Sequence, residues 1–291
     1  MHLIRGATIT VSELGRSVAA WSDWLDYRVV EQGVVSEGLA RSWGAPSCAG
    51  ARMAVLQPAS GANCTIRFVE QPMRDDYKPL RTLGWAAVEL CVTDTDAVAD
   101  KLSHPDCPFT VIGPPKPLDG MDTIYPMQVR GPDGEIIYLT QIKKQPDGYR
   151  LKVATSLIDQ IFILVLACRD LEATGAWIEE RLGLIKGATF EIDYTMINKS
   201  FGLTPGTKHP LATLKHSDDV FLEIDTYPEQ ATPRAVHDGW LPPGVAMASF
   251  AHPDFDALEG WAVAPTGEPG ARRGLMRGPD GARFEILEMP L

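Results

Sequence analysis

The chain has 291 residues, of which 45% are hydrophobic and 22% are charged, and its formal net charge is −11. This balance is typical of a globular protein, and the length suits one large domain or two ordinary ones. The acidic total disfavours nucleic acid and anionic membrane surfaces as partners because it repels phosphate groups, and no apolar run reaches the roughly 20 residues that span a membrane.

The chain begins with a segment, roughly residues 5–72, that reads as a strand, a helix and three further strands. Ser12 or Glu13 can cap the helix, whose apolar residues Val18, Trp21 and Trp24 recur at helical spacing. One face of this helix is therefore predicted to pack on a sheet. The same order of elements recurs three more times along the chain, roughly at residues 84–142, 157–228 and 244–290.

The sequence also repeats itself at longer range. Residues 131–141 reappear as 278–288, each beginning with a Gly-Pro-Asp-Gly turn that feeds a strand. We therefore predict two copies of one design, an N-terminal domain at 1–145 and a C-terminal domain at 155–291. The polar, turn-rich stretch that begins before Pro146 suits a linker, which we place at 146–154.

A βαβββ unit cannot close its sheet alone, whereas two units side by side make a cupped sheet with helices outside and a pocket on the concave face. The predicted fold class is therefore α+β, with four βαβββ modules paired into two pseudo-symmetric cupped halves.

Short motifs carry a resemblance to a known family: residues 9–14 with 24–27, residues 168–171 with 181–184, and both Gly-Pro-Asp-Gly strands. In this ordered fourfold recurrence the chain resembles the vicinal oxygen chelate superfamily, which contains glyoxalases, bleomycin-resistance proteins and extradiol dioxygenases. The resemblance implies a divalent metal in a cup, held by His or Gln of first strands and Glu of last strands, that acts as a Lewis acid and template.

The resemblance implies no metal in the N-terminal cup, where the ligand positions fall on Gly6, Arg67, Ala87 and Tyr138. A guanidinium group there would repel a cation. Strand alternation adds Glu89 to the same face, so Arg67, Glu89 and Tyr138 form a candidate site for an anionic or phenolic ligand. The alternative is an Arg67–Glu89 pair that satisfies itself.

In the C-terminal cup the same positions fall on Ile163, Glu223, Met247 and Glu285. Met247 is expected to line the pocket, because a thioether is a poor ligand for hard cations. Gln160, brought in by a bulge, would complete a three-oxygen metal site with Glu223 and Glu285.

Glu223 and Glu285 can also be interpreted as functional residues that act without a metal. Two close carboxylates raise the pKa of one of them, and apolar walls raise it further, which makes Glu223 and Glu285 candidates for a catalytic acid or base. The alternative is that each carboxylate pairs with a basic neighbour such as Arg283 or His216. Trp43, in a Gly- and Pro-containing loop, is a candidate ligand-binding lid, or else packs in the core of its own half.

These observations predict a small-molecule enzyme of the glyoxalase or dioxygenase type (a lyase, isomerase or dioxygenase) that acts on an aromatic or oxygen-rich metabolite in the C-terminal cup. The alternatives are a metal-free ligand-sequestering protein, like the bleomycin-resistance members, and a protein whose cups are filled by side chains. The expected binding partner is a small organic molecule, and the sequence is also compatible with a homodimer. Five scattered cysteines without a CxxC pair indicate a reducing, cytoplasmic location.

Overall fold

The computed structural model describes residues 3–73, 75–217 and 219–289. The first module contains β1 (Ile4–Val11), α1 (Leu14–Trp24), β2 (Tyr27–Val34), α2 (Glu37–Ser42), β3 (Arg52–Pro58) and β4 (Thr65–Glu70). The second contains β5 (Gly84–Val92), α3 (Thr95–Leu102), β6 (Thr110–Gly113), β7 (Ile124–Arg130) and β8 (Ile136–Ile142). The third contains β9 (Ile158–Cys168), α4 (Leu171–Leu182), β10 (Ile185–Asp193), α5 (Thr195–Phe201), β11 (Lys208–His216) and β12 (Asp219–Thr226). The fourth contains β13 (Val245–His252), β14 (Val263–Thr266), β15 (Arg273–Arg277) and β16 (Arg283–Glu288).

The predicted α+β class of paired modules is confirmed, with one difference in the fourth module. There the expected helix is reduced to a single 3-10 turn, Phe255–Ala257. Leu258, the next residue, already has an extended conformation, so the chain leaves helical geometry before a second turn can form. None of the helices in the described ranges has the length and apolar character needed to cross a membrane.

Two eight-stranded sheets pair the modules in a nested order. The first sheet runs β14-β15-β16-β13-β1-β4-β3-β2 and so joins the fourth module to the first. The second sheet runs β10-β11-β12-β9-β5-β8-β7-β6 and joins the third module to the second. In both, the first strands of two modules meet antiparallel, with Ala7 opposite Ala248 and Val88 opposite Leu164.

The expectation that each cup is built within one half of the sequence is therefore wrong. The division into 1–145, 146–154 and 155–291 stays a prediction about the sequence repeat, but the sheets do not follow it. The physical reason is that all four modules offer the same kind of first-strand edge, so the repeat does not specify which edges pair. The connections β4–β5, β8–β9 and β12–β13 are of similar length, so they do not specify the partners either.

Buried side chains form three clusters. The largest contains residues of all four modules, including Trp85 and Phe284, whose ring centroids lie 4.9 Å apart. The two smaller clusters each draw on residues of one sheet and the segments around it, and one includes Tyr138 while the other includes Trp43. The buried residues around Tyr138 and those around Trp43 therefore form separate clusters, one on each sheet.

Arg234, in the segment before β13, ties the two sheets together. Its Nη2 donates to the carbonyl oxygen of Trp85 in β5 at 2.7 Å, and its Nη1 donates to that of Val245 in β13 at 2.7 Å. Its guanidinium also stacks over Tyr77, 5.4 Å from the ring centroid. One side chain thus satisfies carbonyl groups of both sheets.

We expect Arg234→Ala to lower the free energy of unfolding by about 3 kcal/mol, because buried carbonyl groups lose charged donors. Urea denaturation at neutral pH measures this change. The control is Arg41→Ala, whose partner Glu37 and own side chain are both largely exposed, and which should change stability by less than about 0.5 kcal/mol. Equal effects of the two substitutions would contradict a role for Arg234 in holding the sheets together.

Candidate functional site

The second sheet forms a cup that contains an open cavity. Glu89 of β5 lies directly opposite Tyr138 of β8 on one side and Ile163 of β9 on the other. Glu223 of β12 faces the same space, and strand alternation explains why these side chains share one face. The space that the centres of water-sized molecules can occupy in this cavity is about 80 Å³, and the cavity opens to solvent.

The walls of this cavity are mainly apolar, and two connecting segments cover it. Leu118 and Met121 come from the loop between β6 and β7, and Tyr149 and Leu151 come from the predicted linker. Phe190 of β10 adds an aromatic wall. The linker residues are thus part of the site, which their polar and turn-rich composition did not indicate.

Two carboxyl groups face this apolar space, and the pKa of each is raised to near neutrality. The hydroxyl of Thr140 donates to Glu89, and the hydroxyl of Tyr194 donates to Oε1 of Glu223 at 2.8 Å. Burial, followed by the neighbouring Glu223, raises the pKa of Glu89 to about 8. Burial also raises the pKa of Glu223 to about 7. Such groups can both donate and accept protons under physiological conditions.

A third carboxyl group lies two residues further along β12. Asp225 is fully buried, and no donor among the described residues is placed to hydrogen-bond either of its carboxylate oxygens. Burial, followed by the adjacent Glu223, raises the pKa of Asp225 well above its usual value. The hydroxyl of Tyr138, which lines the cavity, is also buried without a partner in the described part of the chain.

No positive charge balances these carboxyl groups from within the cavity wall. The lining residues that the structure describes include no lysine, arginine or histidine. The sequence suggested Arg283 or His216 as a basic partner for each of the two glutamates, but neither forms an ion pair with Glu223 or Glu285 in the described ranges. A positive charge that balances an ionised carboxyl group here would therefore have to come from a molecule that enters the cup.

The first sheet carries the corresponding carboxyl group, Glu285, in a different environment. Arg67 lies 3.2 Å from its Oε2, and Arg273 lies 3.4 Å from its Oε1. The indole Nε1 of Trp43 donates to Oε1 at 2.9 Å, and Ser249 donates to Oε2. Burial alone would raise the pKa of Glu285, but the two arginines and these hydrogen bonds lower it to about 2. This carboxylate is therefore paired within the fold.

Trp43 occupies the cup of the first sheet. It is fully buried and packs in one cluster with Met247 and Leu275. The guanidinium of Arg67 lies 5.0 Å from its ring centroid. Trp43 therefore packs in the core and has no exposed face for stacking on a ligand, in contrast to the predicted lid, and Met247 lines this filled cup and not the open cavity.

The structure redistributes the predicted sites between the two cups. Glu223 and Glu285 do not share a hollow, because β12 belongs to the second sheet and β16 to the first. Arg67 is likewise separated from Glu89 and Tyr138. The pairing of Glu89 with Glu223 was missed because it depends on which modules pair. Connection length in the chain does not favour it, because the β4–β5 connection is no longer than the β8–β9 connection.

The predicted metal set of Gln160, Glu223 and Glu285 cannot form, because Glu285 lies in the other sheet. In the open cup the family's ligand positions fall on Ala87, Tyr138, Ile163 and Glu223, which offer a single carboxylate. Among the residues in the described ranges, no group of three or more His, Cys, Asp or Glu side chains is placed to hold a metal ion. The donor set therefore does not fit the metal that the resemblance implies.

Comparisons with known proteins find similarity in structure alone. No family model matches the chain, and no curated protein matches it. Glyoxalase I from Zea mays aligns over 98% of this chain and 92% of its own, with 16% identity and a TM-score of 0.65. A putative dioxygenase from Bacillus subtilis aligns over 99% and 85%, with 13% identity and a TM-score of 0.63. The cppA protein from Streptococcus pneumoniae aligns over 99% and 98%, with 10% identity and a TM-score of 0.52. At these identities the likeness shows the fold.

Proposed function

Since the chain has the four-module fold of glyoxalase I and its superfamily, we propose that it is a small-molecule enzyme whose site is the cup of the second sheet. Glu89 and Glu223 act there as an acid–base pair without a metal ion. The observation that carries this proposal is two buried carboxyl groups, with pKa values raised to about 8 and about 7, at one apolar cavity.

The two groups differ in a way that suits proton transfer. At neutral pH Glu89 keeps its proton and can donate it to an oxygen of the substrate, while Glu223 is ionised in part and can accept a proton. The hydroxyl of Tyr194 holds one oxygen of Glu223, which orients the carboxylate. Proton transfer of this kind favours the lyase and isomerase classes among the reactions that the sequence suggests, on an aromatic or oxygen-rich metabolite.

A second candidate is a protein that binds and sequesters a small organic molecule without changing it. The mainly apolar and aromatic walls of the cavity favour this reading, because they supply affinity without any reactive group. Either function is compatible with a cytoplasmic location, which we keep as a proposal with the homodimer.

The experiment is a ligand screen by melting shift on the purified chain, followed by NMR detection of turnover for each hit, because a ligand of the native state raises the melting midpoint. We expect Glu223→Gln and Glu89→Gln each to lower turnover by about 100-fold or more. Glu191→Gln is the matched control, since Glu191 is exposed on β10 next to Phe190. Binding without turnover supports sequestration. Turnover that is unchanged in the double variant places the chemistry elsewhere.

A further inference from the structure

The two cups treat equivalent carboxyl groups differently. Glu285 in β16 is neutralised by Arg67 and Arg273. Glu223, in the same place of β12, is joined by Glu89 and has a tyrosine hydroxyl as its hydrogen-bond partner. The chain therefore supplies positive charge in one cup and leaves it out of the lining of the other.

A second, independent observation indicates that the open cup is built for an occupant. Tyr138 is only 2% exposed and lines the cavity, yet its hydroxyl has no hydrogen-bond partner in the described residues. The hydroxyl of Thr213, another lining residue, is also unpartnered there. Buried polar groups are normally paired, so each of these hydroxyls leaves a hydrogen-bonding capacity unmet in the wall of the cup.

We propose that the cup of the second sheet binds an organic cation, an ammonium group on an aromatic or branched apolar body, with its positive charge against Glu89 and Glu223. The inference rests on the same site as the proposed function and adds the class of its ligand. The ammonium group supplies the countercharge that the lining lacks, and the apolar body fills the rest of the cavity.

The aromatic walls fit such a ligand. The rings of Tyr138 and Tyr194 lie 6.5 Å apart between centroids at an angle of 46°, and Phe190 lines the same cavity. Aromatic faces attract ammonium groups, most strongly where water is excluded. The net charge of −11 attracts cations to the protein at longer range.

Binding of a cation should be linked to release of a proton. Burial favours the protonated carboxyl groups in the free protein, and a bound cation favours the ionised forms, so affinity should rise with pH. Tyr138, Tyr194 and Tyr227 do not compete in this range, because burial raises their pKa values well above the usual value. The titratable groups that surround the site come from β5, β8, β12 and the residue after it, the turn before α5, and the predicted linker: Glu89, Tyr138, Glu223, Asp225, Tyr227, Tyr194 and Tyr149. Two basic groups lie outside the lining. The Nζ of Lys215 is 5.7 Å from the ring centroid of Tyr149, and the charge of Arg234 opposes the rise in the pKa of Tyr227.

The test is calorimetric titration of the whole chain with phenyltrimethylammonium and benzyltrimethylammonium, each compared with the neutral hydrocarbon in which carbon replaces nitrogen. The charge of these probes does not change with pH, so any pH dependence comes from the protein. We expect the cations to bind at least about tenfold more tightly than the hydrocarbons at pH 8.5, and about tenfold more weakly at pH 6.5 than at pH 8.5. Titrations in buffers of different ionisation enthalpy should detect proton release.

Glu89→Gln and Glu223→Gln should each weaken cation binding about tenfold, and the double variant should lose the pH dependence, whereas Glu191→Gln should retain wild-type behaviour. Melting curves verify that each variant is folded. If no cation binds more tightly than its neutral counterpart while neutral compounds from the screen bind and depend on Glu223, the cation inference is wrong and the proposed site stands. If the Glu→Gln variants leave all binding unchanged, both proposals fail.

Discussion

Trp43→Ala is expected to lower the free energy of unfolding by about 3–5 kcal/mol, the range for removal of a buried Trp side chain. Trp43 is fully buried, donates to Glu285 and stacks under Arg67. Alanine would leave a void in the cup of the first sheet and remove one hydrogen bond from a buried carboxylate. Guanidinium denaturation at neutral pH measures the change.

The same substitution also offers a rescue experiment. A void lined by residues such as Met247 and Leu275 is apolar, and such cavities can bind small aromatic molecules. Added indole should therefore raise the melting midpoint of Trp43→Ala and leave that of wild type unchanged. Trp24→Ala, at a partly exposed tryptophan outside the cup, is the control and should not respond to indole. A variant as stable as wild type would mean that Trp43 does not support this cup.

Glu89→Gln and Glu223→Gln are expected to stabilise the chain at high pH. The folded pKa values, about 8 and about 7, lie above the unfolded value of about 4.5. The stability that comes from holding these protons is fully present below about pH 4.5 and is lost as pH rises through 7 to 8. Since glutamine carries no charge at any pH, each variant should exceed wild type at pH 9 by on the order of 3 kcal/mol and differ little at pH 5.

Glu285→Gln is expected to have the opposite effect on stability. Its pKa is lowered to about 2, against burial, by Arg67, Arg273 and two hydrogen bonds. Its contribution to stability is therefore present above about pH 4.5 and is lost as pH falls through 2, so glutamine should destabilise the chain at neutral pH. Melting midpoints from pH 3 to pH 9 test both claims. Parallel profiles for all three variants would contradict the different environments of the two cups.

The order of elements could be predicted because each module carries local signals. Helical spacing in residues such as Trp21 and Trp24, strand alternation, and repeated Gly-Pro-Asp-Gly turns are properties of neighbouring residues. The fourth module is the exception, since its helix is replaced by one turn before Gly260. Alternation also places Asp225 on the same face as Glu223, a signal in the sequence from which Asp225 could have been identified.

The composition of each cup could not be predicted because it is a property of distant residues. Strand alternation places Glu89, Glu223 and Glu285 on concave faces, but it does not specify which concave face each one joins. That depends on β1 pairing with β13 and β5 with β9. The first strands of the modules are alike in hydrophobic pattern, so the sequence does not indicate which of them pair with each other.

The nested pairing of the modules imposes an order on how the chain can assemble. Residues 84–226 are continuous and contain every strand of the second sheet, so this inner layer can close as soon as they leave the ribosome. The edge of β1 that pairs with β13 must instead wait until the last module has been made, because its partner lies more than two hundred residues away. During most of its synthesis the nascent chain therefore exposes the unpaired edge of β1. Unpaired strand edges are the kind of surface on which aggregation begins and which chaperones protect.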